Sequence, residues 1–256
     1  GTFVIEGYRI GNAMMLALAK TVSMMAVREV NIADNRANDE TMCTLLHELN
    51  DHEQPALQNL VLSRNTLGRR SVPELAELLS VAPSLKSIEL EGNQINDSAL
   101  RQISSSLTVR TCAVTSLVLC RNKIGDVGAI AFAENLSYMR TLESLDLSWN
   151  QIGWRGGKAI AEALETCRLK TLDVSWNAFG SSTDTERSCA KMLSTALGNN
   201  TRLVHADIGH NNFTAADCAL IAEKLRDNHT LMGLHLEGDA TLDASGFLSV
   251  VEPSGP

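Results

Sequence analysis

The sequence predicts an α/β fold: a curved solenoid with a parallel β-sheet on its concave face and helices on its convex face. Two observations lead to this class. A short apolar pattern recurs along the 256-residue chain at a nearly even interval, and each copy is followed by a stretch with the apolar spacing of a helix. One unit of strand and helix cannot bury its apolar face alone, so stacked units bury it against each other.

The strand part of the unit is clearest in SLDLSWNQIG at 144–153 and TLDVSWNAFG at 171–180, which start 27 positions apart. Both belong to a series of nine-residue segments that read apolar-x-x-apolar-x-apolar-x-x-Asn. Apolar residues at every second position are typical of a strand. The eight segments close at Asn35, Asn65, Asn93, Asn122, Asn150, Asn177, Asn211 and Asp239.

These closing residues lie 27 to 34 positions apart, and we interpret the chain as a single repeat domain over 1–256. We expect each Asn side chain to bond the backbone of neighbouring turns, which would form a ladder inside the stack. The longest interval, from Asn177 to Asn211, predicts a loop insertion at 181–188. The last residues, 242–256, fit either a partial helix with a cap or a simple end.

The helical part is clearest at 122–139. Ile130, Ala133, Leu136 and Met139 fall at helical spacing there, and Asp126 stands where an N-cap is expected. Residues 11–25 also predict an amphipathic helix, because Lys20 interrupts the apolar run and no signal-peptide pattern is present. Neighbouring strands lie ~4.8 Å apart, whereas packed helices need ~8–10 Å. The stack must therefore curve, with its strands inside.

This pattern resembles the leucine-rich repeat. The period of about 28 residues, with a helix after each Asn, is similar to the ribonuclease-inhibitor type. That type includes ribonuclease inhibitor, the Ran GTPase-activating protein and the repeat regions of NOD-like receptors. The resemblance implies the curved fold and a surface that binds other proteins.

Composition excludes several classes of function. The net charge is −8 and no run of Lys or Arg occurs, which argues against nucleic acid as a partner. No apolar stretch approaches the ~20 residues that span a bilayer. The six cysteines form no C-x-x-C pair, which favours a reducing compartment and no disulfide. Cys189 and Cys218, on successive helices, are the one pair that needs checking.

Strand alternation indicates which side chains leave the core. Leu145 and Leu147 should point inward, so Asp146 and Ser148 should face the concave surface. Trp149 follows at the exit of the strand, on or near that surface, and Trp176 holds the same place one repeat later. With the equivalent positions on either side, the row reads Arg121, Trp149, Trp176 and His210.

Two interpretations of these tryptophans remain open. Aromatic side chains and Arg dominate the hot spots of protein interfaces, which favours a binding anchor. The rings could instead fold down over the turn and cover it.

A second row on the concave face holds Glu89, Val118, Asp146, Asp173, Asp207 and His235. Its three adjacent aspartates should repel across neighbouring strands. That cost favours a basic partner, although Asp is also frequent at this position in repeats of the type that this sequence resembles.

The sequence predicts neither a catalytic site nor a cofactor. Paired carboxylates can act as general acid and base, but no nucleophile elbow or phosphate loop accompanies these. His205, Asp207, His235 and Glu237 should cluster on the last two strands. Because that cluster would be open and shallow, we interpret it as a solvated polar face and not as a metal site.

We therefore expect a non-catalytic scaffold that binds a protein partner on its concave face, as a monomer in the cytoplasm and without nucleic acid or membrane. The expected partner-binding residues are Arg121, Trp149, Trp176, His210, Asp146, Asp173, Asp207 and Glu89. Two alternatives remain: a regulatory or ligand-sensing domain of a larger cytoplasmic receptor or cytoskeletal protein, and an activator of small GTPases.

Overall fold

The computed structural model describes residues 1–52, 54–180, 189–242 and 248–250. Nine strands form one sheet in chain order, and every neighbouring pair is parallel. The strands are β1 Thr2–Val4, β2 Glu29–Asn31, β3 Asn59–Val61, β4 Ser87–Glu89, β5 Ser116–Val118, β6 Ser144–Asp146, β7 Thr171–Asp173, β8 His205–Asp207 and β9 Gly233–His235.

One helix connects each strand to the next, and each helix packs on the following one. The helices are α1 Gly11–Ser23, α2 Asp39–Asp51, α3 Ser71–Val81, α4 Asp97–Leu107, α5 Asp126–Leu136, α6 Trp154–Ala163, α7 Cys189–Asn199 and α8 Ala215–Leu225. The predicted solenoid arc, with strands on one side and helices on the other, is confirmed.

The sequence pattern did not predict β1. This strand pairs with β2 through Phe3 and Val30, so the sheet begins one unit before the first closing Asn. The pattern fails here because Tyr8 stands at the position after β1 that Asn35 holds after β2. Strands β10 (Ala240–Leu242) and β11 (Leu248–Val250) form a separate antiparallel ribbon, and β11 lies against α8. The described part of 242–256 is therefore strand and not the partial helix that the sequence suggested.

The core lies between the sheet and the helices and is aliphatic. The middle residue of most strands is fully enclosed, as Leu60, Ile88 and Leu172 show. Only two phenylalanines, Phe132 and Phe179, are among its largest fully buried side chains. The strand register keeps these middle residues in the core, because a slip of one residue would turn them to the other face of the sheet.

The ladder of closing asparagines is confirmed. The amide nitrogen of Asn122 donates to the carbonyls of Leu119 and Cys120 in its own turn, at 2.9 and 3.1 Å, and to Leu90 in the preceding turn, at 2.9 Å. Its amide oxygen accepts from the backbone N–H groups of Asn93 and Ile95, both at 3.0 Å. One buried side chain therefore satisfies five backbone groups of two repeats.

The prediction that Asp126 caps its own helix is wrong. Gly125 is the N-cap of α5 and makes no side-chain cap. The Asp126 carboxylate instead accepts from the backbone N–H groups of Gly153 and Gly156 at the start of α6, both at 2.8 Å. Stacking places the unpaired N–H groups of one helix beside the first turn of the preceding helix, so the cap crosses between repeats.

A matching cap joins α2 to α3. Asp39 accepts from the backbone N–H groups of Gly68, Arg70 and Ser71 and from the Ser71 hydroxyl. Burial raises the pKa of Asp39, but the hydrogen bonds from Ser71, Arg70 and Gly68 outweigh it and leave the pKa below its usual value.

The six thiols are unpaired in the structure, and those of Cys112, Cys167, Cys189 and Cys218 are buried. Burial, with the charges of nearby aspartates, raises the pKa of Cys189 to about 12 and that of Cys218 to about 11. Among the described helices, none is long and apolar enough to cross a membrane. The predicted insertion at 181–188 lies outside the described residues, as do 243–247 and 251–256 of the last segment.

Replacing Asn122 by Ala should destabilise the fold strongly, because five buried backbone groups lose their partner. Each unsatisfied group costs ~1–3 kcal/mol, so we expect a loss of at least ~3 kcal/mol in the free energy of unfolding. Asn59→Ala is the control, since Asn59 is exposed on β3, and should stay within ~0.5 kcal/mol of the parent. Urea denaturation measures both, and equal effects would contradict the ladder.

Thiol titration should count six free groups in the unfolded, unreduced chain. In the folded protein the four buried thiols should react slowly at pH 8, since burial protects them and keeps them protonated. Finding only four groups after unfolding would reveal a disulfide, and Cys189 with Cys218 would be the first pair to map.

Candidate functional site

The residue directly before each closing residue has a left-handed backbone. Its φ lies between 52° and 84° in all eight repeats, at Asp34, Arg64, Gly92, Arg121, Trp149, Trp176, His210 and Gly238. Glycine takes this conformation freely, whereas other residues lose ~1–2 kcal/mol in it. For a bulky residue such as Trp the conformation is an outlier, and it persists only where the surroundings impose it.

Neighbouring turns impose this conformation through the backbone. The N–H of Trp149 donates to the carbonyl of Ser175 at 3.0 Å, and that of Trp176 to Gly209 at 3.0 Å. The carbonyl of Ser175 also accepts from the amide of Asn177 at 3.2 Å. Each turn is thus held by its own closing Asn and by the turn before it.

The side chains of four successive turns form a ring stack, which we define as Arg121, Trp149, Trp176 and His210. The indole rings of Trp149 and Trp176 are stacked, with centroids 4.0 Å apart and planes 12° from parallel. His210 stacks on Trp176 at 3.8 Å and 17°. The Arg121 guanidinium lies over the other face of Trp149, 4.3 Å from its centroid. The predicted row is therefore one continuous stack.

Each end of the ring stack is closed. A Cβ added at Gly238 would lie 2.1 Å from Nδ1 of His210, so this glycine leaves the space that the imidazole fills. At the other end, the Glu91 carboxylate lies 3.6 Å from Nε of Arg121 and 3.1 Å from a guanidinium nitrogen of Arg64. The roles of Glu91 and Gly238 were not identified from the sequence, since neither residue belongs to the aromatic pattern.

Closure decides what the ring stack offers to a partner. Both faces of each indole are occupied, yet Trp149 and Trp176 remain 40 and 41 % exposed. The exposed part is therefore the ring edges. The edge of an aromatic ring carries the positive end of its quadrupole and, in Trp, the N–H donor. A partner would meet a ridge of edges and could not insert a ring between them.

The predicted second row lies in register beside the ring stack, across strands β4 to β9. Its aspartates fold one carboxylate oxygen back onto their own turn. Asp146 accepts from the N–H and hydroxyl of Ser148 at 2.8 and 2.7 Å, and Asp173 from those of Ser175 at 2.9 and 2.7 Å. Among the described residues, the second oxygen of Asp173 makes no hydrogen bond.

Burial and like charge act against ionisation in this row. Burial raises the pKa of Asp173, the charges of Asp146 and Asp207 raise it further, and the bonds from Ser175 offset only part. Burial also raises the pKa of Glu89, together with the charge of Glu91. The repulsion expected from the sequence is therefore present at Asp173, which stands between the other two aspartates.

The serines beneath the aspartates are buried, so the prediction that Ser148 faces the concave surface is wrong: its hydroxyl donates to Asp146 instead. The pairing of these serines with the aspartates was not identified from the sequence. Each serine hydroxyl donates to the aspartate of its own turn, and Ser63 shows what happens where that aspartate is missing. That position corresponds to Ser148, but Val61 stands where Asp146 would be, and the buried Ser63 hydroxyl has no hydrogen-bond partner in the described structure. The recurrent D-x-S spacing was the available signal for this pairing.

The four polar residues of the last two strands do not form a metal site. The rings of His205 and His235 lie 4.8 Å apart at 51°. Among the described residues, no group of three or more His, Cys, Asp or Glu side chains is arranged to hold a metal ion.

Comparisons with known proteins agree with this architecture. The family model described as Leucine Rich repeat matches residues 81–104, 112–133 and 138–161. NACHT, LRR and PYD domains-containing protein 2 of Homo sapiens is 30 % identical over 231 residues, which are 89 % of this chain and 21 % of that protein. Protein 12 of the same series, also from Homo sapiens, is 30 % identical over 177 residues, covering 68 % of this chain and 16 % of its own length.

Ribonuclease inhibitor of Mus musculus is 28 % identical over 152 residues, which are 59 % of this chain and 33 % of that protein. The chain thus spans a third or less of each of these relatives. Among solved structures, Leiomodin-1 Actin-Binding Site 2 superposes with a TM-score of 0.52 and 21 % identity, over 63 % of this chain and 91 % of that one, which shows a shared fold alone. With its parallel sheet, its 27- to 34-residue period and its ladder of asparagines, the chain is a leucine-rich repeat protein of the ribonuclease-inhibitor type.

Proposed function

We propose that this protein is a non-catalytic scaffold that binds a protein partner on its concave face, with the ring stack as anchor. The ring stack is the observation that carries the proposal. Trp and Arg are the residue types most enriched in interface hot spots. They occupy turn positions where glycine would cost less, and they keep two fifths of each indole exposed. A role in folding alone does not account for that combination.

The second row, with its three adjacent aspartates, favours a partner with basic side chains. Asp173 holds a carboxylate oxygen that has no partner within the described part of the chain, next to Asp146 and Asp207 on neighbouring strands. Lys or Arg side chains of the partner would supply the missing donors and relieve the repulsion at Asp173. Because the row and the ring stack run side by side, one partner can contact both at once.

The side chains of the ring stack are already held in contact before binding, which favours affinity. Arg121 is held by both Trp149 and Glu91, and His210 by Trp176. Ordering a flexible side chain at an interface costs ~0.5–1.5 kcal/mol, and most of that cost is already met here by folding. We propose a monomer that acts in the cytoplasm, with neither nucleic acid nor membrane as partner.

A second candidate follows from the relatives. Two of them are NACHT, LRR and PYD domains-containing proteins, of which this chain spans only 21 and 16 %. The repeats would then be the regulatory or ligand-sensing region of a larger receptor, with the same ring stack as the contact. Activation of small GTPases is the remaining alternative, and a GTP hydrolysis assay with the purified arc should show no acceleration.

Replacing both stacked tryptophans by Ser should abolish partner capture. The loss in the free energy of unfolding should be smaller than for the truncation of two fully buried aromatic side chains. Because each ring is two fifths exposed, we expect less than the ~3–5 kcal/mol that a buried aromatic costs when truncated. Capture from a lysate on the immobilised arc, followed by an affinity measurement with the recovered protein, should show at least a tenfold loss.

Trp154→Ser is the matched control. Trp154 begins α6, packs against the core and contacts Arg155, away from the ring stack. It should lower the melting temperature and leave capture intact. If Trp149→Ser/Trp176→Ser melts as if two fully buried rings were lost and still captures the partner, the tryptophans are structural cover and the anchor is wrong.

Replacing Asp173 by Asn should stabilise the protein near neutral pH and weaken the binding of a basic partner. Because the pKa of Asp173 in the folded state lies above its ordinary value of 3.8, the parent loses stability as pH rises through that raised pKa. The Asn variant keeps an acceptor for Ser175 and does not titrate. Thermal melts from pH 3 to 7 should show no advantage for the variant below pH 3.8 and a rising advantage above it. A constant difference would contradict the repulsion.

A further inference from the structure

The edge of the sheet opposite the ring stack carries a second charged feature. The loops that lead from helices α4, α5, α6 and α7 into the following strands each hold an exposed arginine. We call this set the arginine rim; it consists of Arg110, Arg140, Arg168 and Arg202. It lies at the amino-terminal ends of the strands, whereas the ring stack lies at their carboxyl-terminal ends.

Backbone hydrogen bonds hold these loops side by side. The N–H of Glu143 donates to the carbonyl of Thr115, that of Lys170 to Glu143, and that of Val204 to Lys170, at 2.7 to 2.9 Å. Arg168 lies two residues before Lys170, and Arg202 lies two residues before Val204. Arg140 lies three residues before Glu143. The charge of Arg202 also reaches Cys167, the neighbour of Arg168, whose pKa it lowers against the dominant effect of burial.

The rim is positive in an acidic protein. Residues 108–115, 137–143, 164–170 and 200–204 contain five basic and two acidic side chains, whereas the whole chain has a net charge of −8. One of those acids, Glu143, is already paired with Lys170 at 2.9 Å. In the part of the chain that the structure describes, none of the four arginines forms an ion pair with a carboxylate.

Folding does not account for this alignment. A cation within the last turn of a helix is stabilised by the helix dipole, but these arginines lie three to five residues beyond the helix ends. Four like charges in consecutive repeats repel one another, which costs stability unless an anion lies between them. Tyr138, 65 % exposed two residues before Arg140, adds an aromatic contact of the kind found in interfaces.

We infer that the arginine rim is a docking site for an extended acidic polypeptide segment, separate from the concave site. The spacing supports an extended chain. The rim lies between the strand layer, with a repeat of ~4.8 Å, and the helix layer, with a repeat of ~8–10 Å. Side chains on one face of an extended segment recur every ~6.6–6.8 Å, which falls between these limits. Alternate Glu or Asp residues of such a segment would each meet one guanidinium, which binds carboxylate through two parallel N–H groups.

The test uses a fluorescent ten-residue peptide that alternates Glu and Ser, titrated into the purified chain in 50 mM salt. The parent should raise its fluorescence polarisation, and Arg140→Gln/Arg168→Gln/Arg202→Gln should weaken binding about tenfold, since exposed ion pairs contribute ~0.2–1 kcal/mol each. The charge-matched control Arg69→Gln/Arg101→Gln/Lys224→Gln, altered at exposed positions off the rim, should bind like the parent. Trp149→Ser/Trp176→Ser should also bind like the parent, so this result does not depend on the concave site.

Three outcomes would overturn the inference: no binding by the parent, equal loss in the rim variant and its charge-matched control, or equal affinity for a peptide with the same composition but its Glu residues in one block. Vesicles with a phosphatidylserine content of one third serve as a further probe. Rim-dependent binding to these vesicles without binding to the peptide would assign the surface to a membrane and also overturn it. Should the triple variant fail to fold in a thermal melt, the single variants Arg168→Gln and Arg202→Gln decide, with a loss of about twofold expected in each.

Discussion

The hydrogen bonding of the closing asparagines is the constraint on which the other features depend. In six of the eight repeats the amide nitrogen of the closing Asn donates to two carbonyls of its own turn and one of the preceding turn, as Asn150 does with Leu147, Ser148 and Leu119. That geometry fixes the turn and forces the preceding residue into the left-handed region. The side chain before each Asn therefore leaves the turn in the same direction in successive repeats. The ladder inside the stack thus produces the ring stack on its surface.

The same repetition creates the electrostatic conflict on the concave face. Identical turns place identical residues on neighbouring strands, so an Asp that suits one turn meets its counterpart ~4.8 Å away. At Asp173 the bond from the Ser175 hydroxyl favours the turn, while burial and the neighbouring charges oppose ionisation. On β3 the corresponding position holds Val61, which carries no charge, and in the described part of the chain the hydroxyl of Ser63 has no hydrogen-bond partner. At this position an Asp therefore supplies an acceptor for its own turn but repels an Asp on the neighbouring strand.

Period and alternation predicted the architecture and the positions of the ring stack because both are local properties of the sequence. The geometry between repeats could not be predicted in this way. The cap from Asp126 reaches the next helix, and the bridge from Glu91 joins Arg64 to Arg121, so each depends on the distance between stacked units. The left-handed backbone at Trp149 runs against the preference of that residue, and only tertiary contacts impose it. Strand β1 escaped the pattern since its pairing with β2 needs no closing Asn.

The two edges of the sheet show how one repeated unit can present different chemistry on each side. At the carboxyl-terminal ends of the strands, the fixed turn holds its side chains in contact, so that rings and a guanidinium stack and shield one another. At the amino-terminal ends, the loops after the helices differ in length, and the four arginines that they carry are exposed. A rigid turn suits a partner of fixed shape, because little freedom is lost on contact. Exposed arginines suit an extended, charged segment, because guanidinium groups on long side chains with many rotamers can adjust to its spacing.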